Sequence, residues 1–258
     1  MPVALITGAS SGLGRGLALR LAGEGWAVGL AARRESELSA LAAEIRGRGG
    51  VALPLACDVA DRGSVHRAAE RCAAELGPVD LLVANAGVSE NTPGRSLDAT
   101  VVERLVAVNF LGSVYAAEAV LPAMLARGSG HLVAVGSLTG LGGLPLSAGY
   151  CATKGAQMDF FEALRVDLRG TGVDVTVIGP GFVRTAMTAR NRHAMPFMLE
   201  PDEGVARIAA AIRDRRRLVL FPWQLAWIRW VGQILPRSLY DAIVARIRRE
   251  KRSGQEPA

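Results

Sequence analysis

The sequence TGASSGLG (residues 7–14) stands between a short apolar run, VALIT (3–7), and a segment with the apolar spacing of a helix (12–24). A glycine-rich turn between a strand and a helix is typical of a phosphate-binding site, because glycines let the backbone approach the phosphate and free N–H groups at the helix start attract an anion. The spacing G-x-x-x-G-x-G differs from the standard G-x-G-x-x-G, and a glycine triplet alone also fits a plain tight turn. Its position between strand and helix favours the phosphate-binding interpretation.

The rest of the chain continues this alternation of strand-like and helix-like segments. Short apolar runs, typical of strands buried on both faces of a parallel sheet, recur at 27–32, 51–56, 80–86, 131–137, 173–179 and 215–221. Segments with helical spacing lie between them, at 34–48, 62–76, 99–127 and 152–169. This order predicts an α/β fold, a single Rossmann-type doubly wound parallel sheet with helices on both faces.

We expect a single domain in which the two parts of the chain have different tasks. Residues 1–189 are predicted to form the dinucleotide-binding and catalytic core. Residues 190–258 are predicted to add a substrate lid, the last helix–strand unit and a helical, basic C-terminal extension. The first part carries 16 Lys/Arg against 17 Asp/Glu and the second carries 14 against 7. The core therefore offers no basic surface for nucleic acid, and we expect no nucleic-acid partner.

Composition indicates a globular protein of the cytoplasm. The 258 residues are 50% hydrophobic and 21% charged, which is typical of folded domains. Three cysteines (Cys57, Cys72 and Cys151) form no close pair, so we expect a reducing compartment and no disulfide framework. The N-terminal segment lacks the basic flank of a signal peptide. The three histidines show no ligand spacing with each other or with cysteine, so we expect no metal site.

The end of the second predicted strand indicates which dinucleotide the chain prefers. An acidic residue at this place would hold the ribose 2′-hydroxyl of NAD. Here Ala32 takes that position, and Arg33 and Arg34 follow. A guanidinium suits a 2′-phosphate through charge-assisted hydrogen bonds, although both arginines also fit an ordinary solvated helix start. We therefore expect NADP(H) rather than NAD(H). Asp58, after the third strand, could accept from the adenine amino group, whereas a helix-capping role explains Asp61 without a cofactor.

The segment GYCATKG (149–155) contains one of only two lysines and one of only three tyrosines in the chain. Tyr150 and Lys154 are four residues apart, so a helix places them on one face, one turn apart. A phenol has a pKa of about 10, and a neighbouring ammonium stabilises its phenolate. Tyr150 can then act as general acid in ketone reduction and as general base in alcohol oxidation. Taken singly, the tyrosine also fits a packed aromatic and the lysine a solvated charge.

Residues 3–187 resemble the short-chain dehydrogenase/reductase family in five motifs that occur in the family's order: TGASSGLG, CDV (57–59), NAG (85–87), Ser137 and YCATK. The resemblance implies that Asn109, Ser137, Tyr150 and Lys154 are catalytic. It implies that Ser137 hydrogen-bonds the reacting oxygen, that Lys154 also holds the cofactor ribose and that Asn109 anchors a water in a proton relay. The hydride belongs to the nicotinamide, whereas the protein supplies position and proton.

The same resemblance implies a cofactor site spread over several loops. The segment PGFVRT (180–185) matches the one that borders the nicotinamide. The predicted cofactor-binding residues are Gly8, Ser10, Ser11, Gly12, Leu13, Gly14, Arg33, Arg34, Asp58, Val59, Asn85, Ala86, Gly87, Tyr150, Lys154, Pro180, Gly181, Val183 and Thr185. Cys151, beside Tyr150, is predicted to be a small core residue rather than a reactive thiol.

The segments on either side of Tyr150 predict an apolar substrate pocket. Residues 138–149 are rich in glycine and leucine, and residues 186–201 are rich in methionine and resemble the family's mobile lid. The expected pocket residues are Leu138, Leu144, Leu146, Met187 and Met195. We expect interconversion of a ketone or aldehyde with an alcohol on a hydrophobic, lipid-like substrate. The alternatives are a 3-oxoacyl-thioester reductase and, from another class, a catalytically silent NADP-binding scaffold.

The C-terminal segment PWQLAWIRWVGQILP (222–236) carries three of the four tryptophans. Trp223, Trp227, Trp230 and Ile234 recur at helical spacing and form one stripe. Basic residues follow a second amphipathic segment: Arg246, Arg248, Arg249, Lys251 and Arg252. A lid or a subunit interface is the favoured explanation, and contact with a membrane surface through 222–252 is the alternative. We also expect a homodimer or a homotetramer.

Overall fold

The computed structural model describes residues 1–190, 194–236 and 238–245. Within these residues seven strands form one sheet: β1 (Val3–Thr7), β2 (Ala27–Ala32), β3 (Val51–Ala56), β4 (Leu81–Ala84), β5 (Gly130–Val135), β6 (Val173–Pro180) and β7 (Leu218–Phe221). Neighbouring strands are parallel, in the spatial order β3-β2-β1-β4-β5-β6-β7. The predicted doubly wound parallel sheet is confirmed.

Helices cover both faces of the sheet, which gives the domain two core layers. The helices are α1 (Gly12–Gly23), α2 (Glu35–Gly47), α3 (Arg62–Leu76), α4 (Ala99–Leu105), α5 (Gly112–Arg127), α6 (Ala148–Asp167), α7 (Pro201–Arg213) and α8 (Trp223–Ile234). Because side chains alternate along a strand, Ile6 of β1 packs with α1, α2 and α7, whereas Leu5 packs with α3, α5 and α6. Both faces of each inner strand are therefore apolar, as the continuous apolar runs predicted.

The carboxyl ends of the strands bring the sequence motifs to one edge of the sheet. The strand order changes direction between β1 and β4, and in doubly wound sheets ligands bind in the crevice at such a switch point. The turn 7–14 follows β1, the segment 85–87 follows β4, and Ser137 follows β5. Parallel pairing places all three beside each other, although up to 130 residues separate them in the chain.

The predicted helix at 99–127 contains an irregularity that its sequence pattern did not indicate. Residues Val106–Leu111, between α4 and α5, form a wider π-helical stretch. By length and composition alone, 99–127 is the described helix that could cross a membrane. It packs against α3, α6, β4 and β5, so core packing accounts for its apolar character. Such π-helical turns occur frequently at functional sites.

The C-terminal extension is helical as far as the structure describes it. After β7 the chain forms α8, and residues 238–245 are again helical. These two segments agree with the predicted amphipathic helices. The predicted basic cluster, from Arg246 to Arg252, lies outside the described residues.

Candidate active site

The turn after β1 leaves no room for side chains and faces the start of a helix. Gly8 and Gly12 have left-handed φ angles of 69° and 55°. A Cβ at Gly8 would lie 2.8 Å from Ala86 Cα, and one at Gly14 would lie 2.4 Å from the Gly8 carbonyl oxygen. Ser11 makes no side-chain capping bond to α1, whose first turn contains no acidic residue. The positive end of α1 is therefore open to an anion, and this cradle fits the pyrophosphate of a dinucleotide.

The segment after β4 is fastened directly to this turn. Thr7 Oγ1 accepts hydrogen bonds from the backbone N–H groups of Asn85 and Ala86, each at 3.1 Å. In return, Asn85 Nδ2 donates to the carbonyl oxygens of Thr7 and Gly8, at 3.0 Å and 3.3 Å. Two of the predicted cofactor segments therefore form one continuous surface.

The end of β2 carries guanidinium groups and no carboxylate. Ala32 is buried, and Arg33 and Arg34 are exposed. Arg34 Nη2 donates to Ser10 Oγ at 2.9 Å, so this guanidinium lies beside the glycine turn. The two guanidinium groups can meet a phosphate but cannot accept from a ribose hydroxyl, since a guanidinium has no acceptor, and the next carboxylate, Glu35, begins α2.

Several predicted cofactor residues have structural roles in this chain. Asp58 Oδ1 accepts from the backbone N–H of Ala60 at 3.0 Å and so stabilises its own turn. Asp61 caps α3, as the cofactor-free explanation predicted. Val59 is buried against the start of α5, and Leu13 packs towards α7. Any cofactor contact of these residues must therefore come from backbone atoms or from the remaining oxygen of Asp58.

Tyr150 and Ser137 are brought together by the start of α6 and the end of β5. Ser137 is buried, and its hydroxyl accepts from Thr139 N–H and Thr139 Oγ1 at 3.2 Å and 3.0 Å. Burial raises the pKa of Tyr150 to about 12, and a side-chain hydrogen bond with Ser137 opposes this shift. Tyr150 is therefore a neutral phenol at neutral pH unless a positive charge stabilises its phenolate.

Lys154 lies one helical turn after Tyr150 and is fully inside the protein. Its Nζ donates to the Val135 carbonyl oxygen and to Gln157 Oε1, both at 2.9 Å. Burial lowers its pKa to about 8. Gln157 is itself completely buried and donates to the Ala84 carbonyl oxygen at 3.4 Å. Sequence reasoning missed Gln157, whose signal was a polar residue three positions after the lysine on the same helix face.

Asn109 lies in the π-helical stretch and joins three segments of the site. Its Oδ1 accepts from Val88 N–H at 2.8 Å, and its Nδ2 donates to the Val88 carbonyl at 3.0 Å and to Thr153 Oγ1 at 3.1 Å. A Cβ at Gly87 would lie 3.4 Å from both Asn109 Oδ1 and Lys154 Nζ. The buried amide therefore stands close to the lysine, and Gly87 keeps the space beside them open.

The segment after β6 closes the site on the side opposite the segment 85–87. Gly181 N–H donates to the Phe221 carbonyl at 2.6 Å, and the carbonyl oxygen of Pro180 accepts from Ser137 Oγ at 3.4 Å. Val183 is buried. The methyl group of Thr185 would lie 3.4 Å from a Cβ at Gly12. The predicted nicotinamide-side segment therefore faces the predicted phosphate turn.

The predicted pocket residues differ in how deeply they are buried. Residues Leu138–Leu141 form a 3₁₀ turn that lies on α6, because a Cβ at Gly140 would lie 2.8 Å from the backbone nitrogen of Gly155. Leu138 is buried against the end of β6. The other members are half-buried or, for Met187, exposed: Leu144, Leu146, Met195 and Met187. Leu138 is therefore a core residue beside the end of β6, and the pocket roles of the other four residues stay predictions.

Helix α8 holds the loop that follows Ser137, a contact that sequence reasoning missed. Arg229 Nη2 donates to the Gly142 carbonyl oxygen at 2.6 Å, and Arg229 Nε donates to that of Leu138 at 3.4 Å. Gln233 donates to the Leu141 carbonyl, and the Tyr240 hydroxyl donates to that of Gly143. We call residues 138–143 the substrate loop. Its backbone is fixed by side chains from residues about 90 positions further along the chain.

Comparison with known proteins places the chain in a family. The sequence model of the family described as short chain dehydrogenase matches residues 2–196. The chain belongs to the short-chain dehydrogenase family. An uncharacterised oxidoreductase of Myxococcus xanthus (strain DK1622) is 44% identical over 95% of this chain and 97% of its own length. The chain is therefore an oxidoreductase of this family, as the motifs predicted, and it binds a nicotinamide dinucleotide.

Two further similar proteins have a named substrate or a bound cofactor. Estradiol 17-beta-dehydrogenase 11 of Pongo abelii is 30% identical over 95% of this chain and 83% of its own. A short chain dehydrogenase/reductase of Burkholderia phymatum, solved in complex with NAD, is 28% identical, with a TM-score of 0.82 over 88% of this chain and 92% of that one. The shared fold confirms the Rossmann-type architecture. The choice between NAD and NADP depends on this chain's own residues at the end of β2.

Proposed function

We propose that the protein is an NADP(H)-preferring oxidoreductase that interconverts a ketone or aldehyde with an alcohol on a hydrophobic substrate. The observation that supports this most strongly is the grouping of Tyr150, Ser137 and Lys154 at the carboxyl edge of the sheet, beside the open start of α1. A phenol, a hydroxyl and an ammonium are the groups that carbonyl reduction requires from a protein. When bound, the nicotinamide supplies or accepts the hydride.

Tyr150 gives its proton to the carbonyl oxygen in reduction and takes it from the alcohol in oxidation. Its pKa of about 12 makes the phenolate rare at neutral pH. Lys154, with a pKa of about 8, carries its positive charge at neutral pH and so lowers the cost of forming the phenolate. In this proposal Ser137 donates to the reacting oxygen as negative charge develops on it.

Asn109 and Gly87 complete the proposed site from the side of β4. Asn109 holds the backbone of Val88 by two hydrogen bonds and thereby fixes the position of Gly87. Lys154 can hold the cofactor ribose across the space that Gly87 leaves open. The amide of Asn109 also lies close to Lys154. We propose that it takes part in the family's water relay, as the resemblance implies.

The preference for NADP rests on the end of β2. Ala32 removes the carboxylate that would accept from the ribose of NAD, and Arg34 is already oriented towards the glycine turn by Ser10. A phosphate on the ribose gains one or two charge-assisted hydrogen bonds from Arg33 and Arg34. The pair therefore favours the phosphorylated dinucleotide.

The hydrophobic substrate is supported by the residues around the site and by one relative. In this proposal Leu144, Leu146 and Met195, which are half-buried in the segments on either side of Tyr150, line the substrate pocket. The relative from Pongo abelii is named for estradiol, an apolar alcohol. We extend the proposal to a homodimer or homotetramer, and to the cytoplasm, the reducing compartment that the cysteine content indicated.

The test is NADPH and NADH oxidation by the purified full chain with a panel of ketones. We expect turnover with hydrophobic ketones and NADPH, and much slower turnover with small charged keto acids. Turnover confined to charged keto acids would contradict the substrate class. Tight NADPH binding with no turnover on any ketone or thioester would favour the silent scaffold and overturn the proposal.

A further inference from the structure

Helix α8 has a strongly apolar side that is mostly exposed in the part of the chain that the structure describes. Trp223, Trp227, Trp230 and Ile234 are exposed by 69%, 61%, 59% and 67%. Spacings of four, three and four residues place all four side chains on one stripe. Ile228 on α8 and Leu239 and Ile243 on the next helical segment are also about half exposed. We call the four residues of the stripe the tryptophan face.

Packing within the fold does not explain the tryptophan face. The opposite side of α8 makes the contacts that attach it, through Leu225 against Gly181 and through Arg229 and Gln233 on the substrate loop. Contiguous exposed apolar surface on a soluble domain marks a binding surface, because exposing it to water is unfavourable. The face is therefore available for a partner that lies outside this domain.

We propose that the tryptophan face is a docking surface for an anionic lipid bilayer. Tryptophan combines an apolar ring with a polar N–H and is enriched where membranes meet water. Helix α8 contains no acidic residue. In sequence the face is followed by five basic residues against one acidic residue between 246 and 252, and residues 190–258 carry twice as many basic as acidic residues. Apolar and cationic groups in succession match a bilayer that has anionic headgroups.

The charge distribution favours lipid over the other occupants of such a face. In a two-fold dimer formed through α8, the same patch meets itself, and two chains of net charge +6 would associate without charge complementarity. The chain's own C-terminal residues 246–258 contain only one large apolar residue, Ile247. That segment therefore has too little apolar surface to cover three tryptophans and an isoleucine.

Docking would have a direct consequence for the active site. The side of α8 opposite the tryptophan face holds the carbonyls of Leu138, Leu141 and Gly142 in the substrate loop. A bilayer on one side of the helix would thus lie near the wall of the proposed substrate pocket. We infer that a lipid-dissolved ketone or alcohol enters from the membrane, and this step, unlike the docking itself, rests on the proposed function.

Co-sedimentation of the full chain with vesicles tests the docking. The probes are vesicles of phosphatidylcholine alone and of equal parts phosphatidylcholine and phosphatidylglycerol. We expect binding to the anionic vesicles that weakens as salt rises, and weaker binding to phosphatidylcholine alone. The variant Trp227→Ser with Trp230→Ser should lose binding about tenfold or more, because two interfacial aromatics no longer enter the bilayer.

A matched control separates the tryptophan face from general surface hydrophobicity. Leu125→Ser with Val166→Ser removes two apolar side chains that are 40% and 54% exposed near the amino edge of the sheet, and it should bind vesicles like the wild type. Wild-type protein that stays in the supernatant at low salt overturns the proposal. Equal binding by both double variants overturns it as well. The proposal is also overturned if the wild type is a dimer that binds no vesicles and the tryptophan substitutions convert it to a monomer.

The same proteins distinguish a failure of docking from a failure of the proposed chemistry. The tryptophan double variant should reduce a water-soluble hydrophobic ketone at the wild-type rate, because its substitutions face away from the substrate loop. Tyr150→Phe should bind vesicles normally and lose turnover. If the wild type binds vesicles but turns over no substrate, the docking proposal stands and the inference about substrate entry fails.

Discussion

At the scale of single residues, the contact that most affects the proposed chemistry joins Lys154 to Gln157. A buried ammonium is costly, and here two neutral oxygens, the Val135 carbonyl oxygen and Gln157 Oε1, stabilise it by accepting its hydrogen bonds. The pKa of Lys154 is about 8, so the charge is lost as pH rises through that value. Carbonyl reduction should therefore decline above about pH 8, because the phenolate of Tyr150 loses its supporting charge.

Substitution of Gln157 should move this decline along the pH axis. Gln157→Leu removes an acceptor of the ammonium, which lowers the pKa of Lys154 and shifts the decline to lower pH by about one unit, the equivalent of one charge-assisted hydrogen bond. Gln157→Glu places a carboxylate beside the ammonium and should shift the decline to higher pH. The measurement is kcat/KM against pH with NADPH in excess.

A control for Gln157 is available on α8. Gln224→Leu replaces a glutamine that is not an acceptor of the Lys154 ammonium, which donates to Val135 and Gln157, so its pH profile should match the wild type. A purely structural role of Gln157 would appear as a uniform loss of rate at every pH in both of its variants, and that result would contradict the positioning role.

Arg34 decides the proposed choice of cofactor. Arg34→Ala should raise the KM for NADPH by about tenfold or more, because one charged hydrogen-bond partner of the 2′-phosphate is lost, and should leave the KM for NADH nearly unchanged. Arg48→Ala, whose guanidinium pairs with Glu44 on the surface of α2, serves as the control. Equal losses with both cofactors in Arg34→Ala would speak against NADP preference.

At the scale of elements, the start of α1 depends on a glycine that the rest of the helix does not require. A Cβ at Gly14 would lie 2.4 Å from the Gly8 carbonyl oxygen and 2.5 Å from Asn85 Nδ2, whereas Gly23 in the same helix has open space around it. Gly14→Ala should therefore displace the first turn of α1, cost about 1–3 kcal/mol of unfolding free energy and weaken NADPH binding about tenfold. Fluorescence titration and urea unfolding measure both effects.

Gly23→Ala is the matched control for this prediction. It removes a glycine from the last turn of α1 without a steric conflict, so binding should be unchanged and stability unchanged or slightly higher. Equal NADPH affinity in Gly14→Ala and Gly23→Ala would show that the close approach at Gly14 is not needed for the cofactor.

The elements differ in how well the sequence predicted them. β1, β2 and β3 agree with their apolar runs residue for residue. β1 and β2 are buried along their whole length, whereas β3, at the edge of the sheet, is exposed at Val51 and Ala56. The π-helical stretch Val106–Leu111 was not predicted. It occurs where Asn109 bonds to Val88 and Thr153, residues 21 and 44 positions away, and no local pattern records such contacts.

Helix α8 also shows that a sequence pattern records local spacing but not long-range contacts. Its tryptophan stripe was visible in the sequence, because a stripe is a local spacing. The hydrogen bonds from α8 to the substrate loop were not visible, because Arg229 looks like an ordinary polar interruption of an apolar helix until the fold brings Gly142 beside it. Gln157 is a similar case, since its spacing from Lys154 was visible but its burial was not.

At the scale of the whole molecule, the parallel sheet assembles the site from distant segments. Because strand ends meet at one edge, the motifs after β1, β4, β5 and β6 had to converge once the α/β alternation was recognised. The structure adds that β7 and α8 close this edge from the far side of β6. Helix α8, whose tryptophan face is exposed, therefore also adjoins the substrate loop.

Turnover and NADPH binding of Tyr150→Phe, measured on the same preparation of the full chain, test the central claim most directly. Phenylalanine keeps the ring that packs at the start of α6 and removes only the hydroxyl. We predict NADPH binding within about twofold of the wild type, and a kcat for reduction of a hydrophobic ketone that falls about 10²–10⁴-fold, the usual worth of a general acid. Turnover by Tyr150→Phe within about twofold of the wild type would contradict the assignment of Tyr150 as the proton donor.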